Sequence, residues 1–263
     1  MLVIANNLSF KNKDFVKAAH AGDKTTMSMM AEVLKKAGAD MININLSLDG
    51  DGDAKYMAAA VEAVGKAGLP LSVDSRDPAA LEAAVGAASG KLILNYVSGQ
   101  DSDRAAMDRI LKLAADKKTD VVLYAMKKGT PADADERLSI ISELMERANA
   151  AGVENGRIII DPVILHLGGG IGQEQAVAVQ ETLYELHELV DPPVRSTCWL
   201  ANVSAGAPHD LRPVINGTFL AMLAGLGLWS VYMDVLNREM MRTVRLVRAL
   251  KNEAVYSAID ANL

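Results

Sequence analysis

Pro70-Leu71-Ser72-Val73-Asp74-Ser75-Arg76-Asp77-Pro78-Ala79-Ala80-Leu81 changes its period within a few residues. Pro70–Asp74 is short and β-prone. It gives way to Pro78–Ala88, whose alanines and leucine recur at helical spacing. Pro78 stands where a helix starts, because the first helical position does not need the N–H that proline lacks. A strand that runs directly into a helix is half of a parallel βαβ unit.

The same alternation extends in both directions. The runs Leu2–Asn7, Met41–Leu46, Lys91–Val97, Asp120–Met126, Arg157–Val163, Ser196–Val203 and Leu228–Asp234 bring the candidate strands to eight. Between them Thr25–Lys36, Ala54–Lys66, Arg104–Lys117, Ala134–Ala150 and Gln175–Val190 have helical periodicity. Gly38, Gly68 and Gly152 stand where helices should stop, and Pro131, like Pro78, where one should start. The chain has 263 residues, close to the ~250 typical of an eightfold barrel. A single-domain (β/α)8 TIM barrel over residues 1–263 is therefore expected. A doubly wound open sheet is the alternative. It would usually carry a glycine-rich loop in its first turn, where this chain has Ala5-Asn6-Asn7-Leu8-Ser9.

Composition narrows the function classes. Half the residues are hydrophobic (50%) and 23% are charged, which is a globular balance with enough apolar side chains for a large core. Aromatics are only 4%, so aliphatic and small residues must fill that core. A net charge of -6 without a basic run argues against nucleic acid as partner. No apolar stretch reaches the ~18 residues of a membrane span; the richest, Phe219–Val235, is interrupted by Gly225 and Gly227. Cys198 is alone, and the four histidines lack metal-ligand spacing, so no metal site is expected. The lone cysteine and the absence of a basic-then-apolar leader suggest a reducing, cytoplasmic setting.

In a barrel of this kind the site lies at the C-terminal ends of the strands. There the chain places amides and carboxylates: Asn6 and Asn7, Asn43 and Asn45, Asp74, Asn95, Asp161, Asn202 with Ser204, and Asp234. The set offers no evident nucleophile and suits recognition of a planar polar heterocycle. A carboxylate accepts two N–H bonds, and an asparagine offers one donor and one acceptor group to neighbouring ring positions. Plainer roles compete at each position: Asp74 as a helix cap, Asp161-Pro162 as a turn, Asn95 and Asn202 as partners of loop backbone. Gly168-Gly169-Gly170-Ile171-Gly172 lacks the Lys-Ser/Thr of a phosphate loop and is expected to be a substrate-facing loop. Lys127-Lys128 could face an anionic ligand tail.

On these residues the chain resembles the pterin-binding methyltransferases, and most closely the methyltetrahydrofolate–corrinoid protein methyltransferase group. The resemblance runs from Met1 to Tyr256. Its most specific stretches are Leu71–Ser75, Leu94-Asn95, Ile159–Leu165, Leu200–Ser204 and Leu211–Met222. It implies that Asp74, Asn95 and Asp161 bind the amino-pyrimidine side of tetrahydrofolate or 5-methyltetrahydrofolate. It places Asn202 at N5, as the catalytic position, and counts Asn6, Asn43, Ser204 and Arg212 among the pterin-binding residues. It further implies a homodimer and a separate corrinoid protein as partner, which would supply the cobalamin. The chain itself has no Asp-x-His-x-x-Gly run of a cobalamin-binding module.

Two departures bear on direction. The family's first strand often reads Gly-Glu-Arg-Ile-Asn, against Ala5 to Ser9 here, and a common aspartate of the second strand is Asn43. Both remove negative charge, which suits transfer from a methylated corrinoid to tetrahydrofolate. A dihydropteroate synthase would be expected to end its last strand on Ser-x-Arg-x-His, unlike Trp229-Ser230-Val231-Tyr232-Met233-Asp234. A non-catalytic pterin-binding module is the remaining alternative.

Overall fold

The computed structural model describes residues 1–46, 53–100, 104–190 and 193–257. Among them eight parallel strands form one sheet: β1 Leu2–Ser9, β2 Met41–Asn45, β3 Leu71–Asp74, β4 Leu92–Ser98, β5 Asp120–Tyr124, β6 Ile158–Asp161, β7 Arg195–Ser196 and β8 Ser230–Met233. The strand order runs consecutively from β7 back to β1 and then to β8. The ends meet beyond β7, where Tyr232 N donates to Cys198 O at 2.8 Å and Trp199 bridges to Tyr232. The fold is a (β/α)8 barrel.

Helices α1 (Lys13–Ala21), α2 (Lys24–Lys36), α3 (Asp53–Gly65), α4 (Pro78–Ala87), α5 (Arg104–Lys117), α6 (Ala134–Ala150), α7 (Gly172–Leu189), α8 (Arg212–Gly225) and α9 (Arg238–Leu250) connect and cover the strands. In α9, Met240, Met241, Val244 and Val247 are buried on one face, while Asn237 caps the start by accepting from Met240 N. Each such buried side chain contributes roughly 1.5–3 kcal/mol. In α4 the cap is Asp77, which accepts from Ala79 N, with Pro78 in the first turn. Asp74 therefore belongs to β3 and does not cap this helix. Gly38, Gly68 and Gly152 all have positive φ just past α2, α3 and α6, as their helix-stop positions require. Pro131 lies ahead of the start it was expected to mark: α6 begins at Ala134 with Asp133 as its cap.

The expected seventh strand, Ser196–Val203, is mostly not a strand. After Ser196 the chain makes the isolated bridge at Trp199 and then a 3-10 turn over Leu200–Asn202. Local bonds Asn202 N→Trp199 O (3.1 Å), Val203 N→Leu200 O (3.2 Å) and Ala205 N→Asn202 O (3.1 Å) outcompete a ladder. Asn202, Ser204 and Gly206 favour that outcome, since short polar side chains and glycine suit turns.

The inward alternation of the strands builds the site. Ile4, Met41, Ile93, Val122, Ile159 and Tyr232 form a cluster of their own inside the barrel. Two residues further along each strand, on the same face, come Asn6, Asn43, Asn95, Tyr124, Asp161 and Asp234. The interior thus changes from apolar to polar in one step towards the C-terminal rim. Irregular pairing in β1 between Ala5 and Leu8, and in β4 between Leu94 and Val97, falls on Asn6-Asn7 and Asn95-Tyr96. Such irregularities re-aim side chains beside functional sites.

Candidate functional site

A cavity of about 550 Å³ opens at this rim, within the ~300–1,000 Å³ usual for small-molecule sites. Asn6, Asp74, Tyr96, Tyr124, Trp199 and Asn202 are among its lining. Of the residues expected from the sequence, Asn6, Asn7, Asn45, Asp74, Asn202 and Asp234 therefore face the cavity directly. Asn43, Asn95 and Asp161 are fully or almost fully buried on the polar layer beneath. Ser204 is buried, with its hydroxyl towards Ala201 O at 3.4 Å, and Arg212 donates through Nε to Ala207 O at 2.8 Å; neither lines the cavity.

Asp161 is the most constrained group. Oδ1 accepts from Val163 N at 2.8 Å, closing the turn at Pro162, whereas buried Oδ2 has no partner. Val163 is held at φ 66°, a costly conformation for a β-branched residue. Fully buried Arg137 steadies the turn, with Nε donating to Pro162 O at 2.8 Å and further bonds to Asp133 O and the Gln175 amide. Burial pushes the Asp161 pKa up to about 7, against the pull of the Val163 N–H. Asn95 Nδ2 and Oδ1 make no hydrogen bond of good geometry, although the Tyr232 hydroxyl lies close enough to interact with the amide, and Asn43 Oδ1 has no partner. Buried polar atoms without partners are uncommon and costly, unless something absent from the chain completes them.

The rest of the rim is better satisfied. Asn45 Nδ2 donates to Asp74 Oδ2 at 2.5 Å. Asn43 Nδ2 donates to Asn6 Oδ1 at 3.1 Å, and Asn7 Nδ2 to Asp234 Oδ1 at 2.5 Å. Asn202 is exposed at the mouth, and no side-chain hydrogen bond holds its amide among the described residues.

Sequence reasoning missed the aromatic walls. Tyr96 and Tyr124 meet at 5.0 Å between centroids, and Trp199 stacks on Tyr232 at 4.6 Å and 5°. Burial raises the phenol pKa of both Tyr124 and Tyr232. The inward periodicity of β5 and β8 was the available signal, since Tyr124 follows Val122 and Tyr232 follows Ser230. The Gly168–Gly172 run does not line the cavity: it folds back on its own His166 and Leu167, and a side chain at Gly172 would overlap both carbonyls. Lys127 pairs with Glu143 at 2.7 Å beside a separate, smaller depression. Among the described residues no group of His, Cys, Asp and Glu could hold a metal ion, and no helix is long and apolar enough to cross a membrane.

A polar-floored, aromatic-walled cavity of this kind invites comparison with known proteins, and residues 10–234 match the pterin binding enzyme family. The chain belongs to that family. It is 25% identical over 254 residues to the methylcorrinoid:tetrahydrofolate methyltransferase of Eubacterium limosum, covering 95% of this chain and 91% of the relative. It is 26% identical over 226 residues to the methionine synthase of Mycobacterium tuberculosis, covering 83% of this chain but only 19% of that larger protein. Among solved structures, the dihydropteroate synthase of Stenotrophomonas maltophilia superposes with a TM-score of 0.68 at 18% identity, over 97% of this chain and 94% of the other. That likeness concerns the fold.

Proposed function

We propose that the cavity binds the pterin of tetrahydrofolate, and that the protein moves a methyl group between N5 and the cobalamin of a separate corrinoid protein. The preferred direction is from methylcobalamin to tetrahydrofolate. The observation that carries the reading is the set of buried, unpartnered atoms on the floor: Asp161 Oδ2 and both ends of the Asn95 amide. An amino-pyrimidine edge offers N–H groups to the first and a mixed donor and acceptor pair to the second. The relative from Eubacterium limosum, matched along most of both chains, supports the same reaction class.

The corrinoid partner supplies the methyl group on cobalt, and the remaining tasks fall to this chain. The floor fixes the ring, so that N5 meets the methyl carbon in line; such alignment replaces much of the entropy cost of a bimolecular step. The N5 lone pair forms the new N–C bond, the electron pair of the broken cobalt–carbon bond stays with cobalt, and the N5 proton leaves to solvent. Asn202, at the open mouth, orients N5 and adjusts its amide to either protonation state. Asn6 and Asn43 add no charge of their own to the rim between Asp234 and Asp74, which favours the acceptor role of N5.

The working unit of this reading is a cytoplasmic homodimer, and light scattering on the purified chain tests the dimer. The reaction is tested with an isolated methylated corrinoid protein and tetrahydrofolate, followed by the spectral change at cobalt. Calorimetry that detects no folate binding at millimolar concentration would overturn the pterin reading. Binding without transfer in either direction would leave a non-catalytic pterin module.

A further inference from the structure

The cavity has aromatic rings on two sides. In an eight-stranded barrel β8 lies opposite β4, so the Trp199–Tyr232 pair faces the Tyr96–Tyr124 pair across the opening. The two pairs differ in how they are held. Tyr96 and Tyr124 are tilted by 44° to each other. Trp199 lies flat on Tyr232, whose ring is buried and whose hydroxyl is 2.8 Å from Ser72 Oγ. The backbones beneath are fixed as well, by Tyr232 N→Cys198 O at 2.8 Å and by the Ser230–Thr197 hydroxyl bond at 2.9 Å. Trp199 itself is only half-buried and lines the cavity, three residues before Asn202.

We propose that Trp199 is a stacking platform for the planar pyrimidine half of the pterin, positioning the ring so that N5 reaches Asn202. The inference rests on the pterin reading of the cavity. Tyr232 covers one face of the indole and stops it from turning. A ring held in this way loses little freedom when ligand arrives, so its contact area goes into affinity. Stacking also fixes a plane, which the hydrogen bonds of Asp161 and Asn95 alone fix less well. Trp199 is thus a binding and positioning residue.

The test compares wild type with Trp199→Leu and Trp199→Phe, using 5-methyltetrahydrofolate as probe and calorimetry for affinity. Leu should raise Kd about tenfold, in line with the loss of one aromatic stack, while Phe should stay within about threefold of wild type. A Trp229→Phe chain leaves Trp199 as the sole tryptophan of the two present, so its indole emission reports on the surroundings of that one ring. That emission should be quenched at saturating folate. A folded Trp199→Leu chain that binds within twofold of wild type overturns the platform, as does a Phe variant that falls as far as Leu. If the Leu variant does not fold, unchanged Trp199 emission in the saturated Trp229→Phe chain overturns it instead. Wild type that binds no folate overturns the pterin reading and the platform together, whereas wild type that binds while Trp199→Leu binds equally well overturns the platform alone.

Discussion

The two arcs of the barrel rim use similar residues under opposite conditions. On the β4–β6 arc, Asn95 and Asp161 are buried and leave three side-chain atoms without partners. On the β8–β1 arc, Asn7 and Asp234 bond to each other, and Asn6 Oδ1 accepts from Asn43 of β2, whose own Oδ1 is left without a partner. A buried group without a partner costs stability in the free protein and recovers it only when a ligand arrives. A satisfied or solvated group does neither. On the proposed reading the first arc is the recognition side, and the second, with exposed Asn202 next to it, is the side on which the reaction and its protein partner meet.

The sharpest way to break that division is Asn202→Ala. It should slow methyl transfer roughly 10- to 1000-fold, near or below the range for losing one transition-state hydrogen bond, and should change folate affinity much less. Steady-state transfer measured alongside calorimetry checks this. A variant with normal rate and poor affinity would move Asn202 to the recognition side.

Asp161→Asn tests the other arc. Losing a charge-assisted hydrogen bond costs about 1.5–3 kcal/mol, so folate Kd should rise by roughly 10- to 150-fold while the barrel stays folded. Unchanged affinity would reduce Asp161 to its role in the Val163 turn.

The raised pKa sharpens the same comparison. A carboxyl that titrates near 7 in the free protein must give up its proton to accept two N–H bonds. Folate affinity should then fall about tenfold for each pH unit below 7 and level off above it, with a proton released on binding at pH 6. Calorimetry in buffers of different ionisation enthalpy measures that proton. Stability of the ligand-free chain should run the other way. Because the unfolded chain loses this proton near the ordinary aspartate value of ~3.9, Asp161 weakens folding progressively as pH rises from about 4 to about 7. Thermal melts of Asp161→Asn should lack that decline.

The smallest effect belongs just behind the rim, at the start of α4. Asp77→Ala removes the α4 cap and should cost about 1 kcal/mol of stability without altering folate affinity. A change in affinity there would mean that β3 and Asp74 are held in place by the helix they lead into.

Strand positions were legible because a fully buried parallel strand is a short apolar run, and Val121–Leu123 and Ile158–Ile160 have that form. The polar residues that follow inward apolar ones were legible for the same reason. The β7 region was not, because Trp199 and Leu200 look like strand residues until the local bonds of the turn are known. Nor did the sequence distinguish Asn95 from Asn45: both stand opposite Asp74 on the strands that flank β3, yet Asn45 bonds to it and the Asn95 amide does not. The aromatic walls were hidden by an overall aromatic content of 4%, too low to draw attention to where the few rings gather.

The join between β7 and β8 has a mechanical consequence. Every other neighbouring pair among the described strands is joined by a ladder, but here the ring closes through an isolated bridge, with Tyr232 N donating to Cys198 O, and through the side-chain hydroxyls of Ser196, Thr197 and Ser230. A hoop under thermal load is expected to open first at its thinnest stave, which here is this seam. The Tyr232 amide should exchange its hydrogen sooner than those of β3 and β4, and a ligand pressed against Trp199 would act as a rivet across the gap.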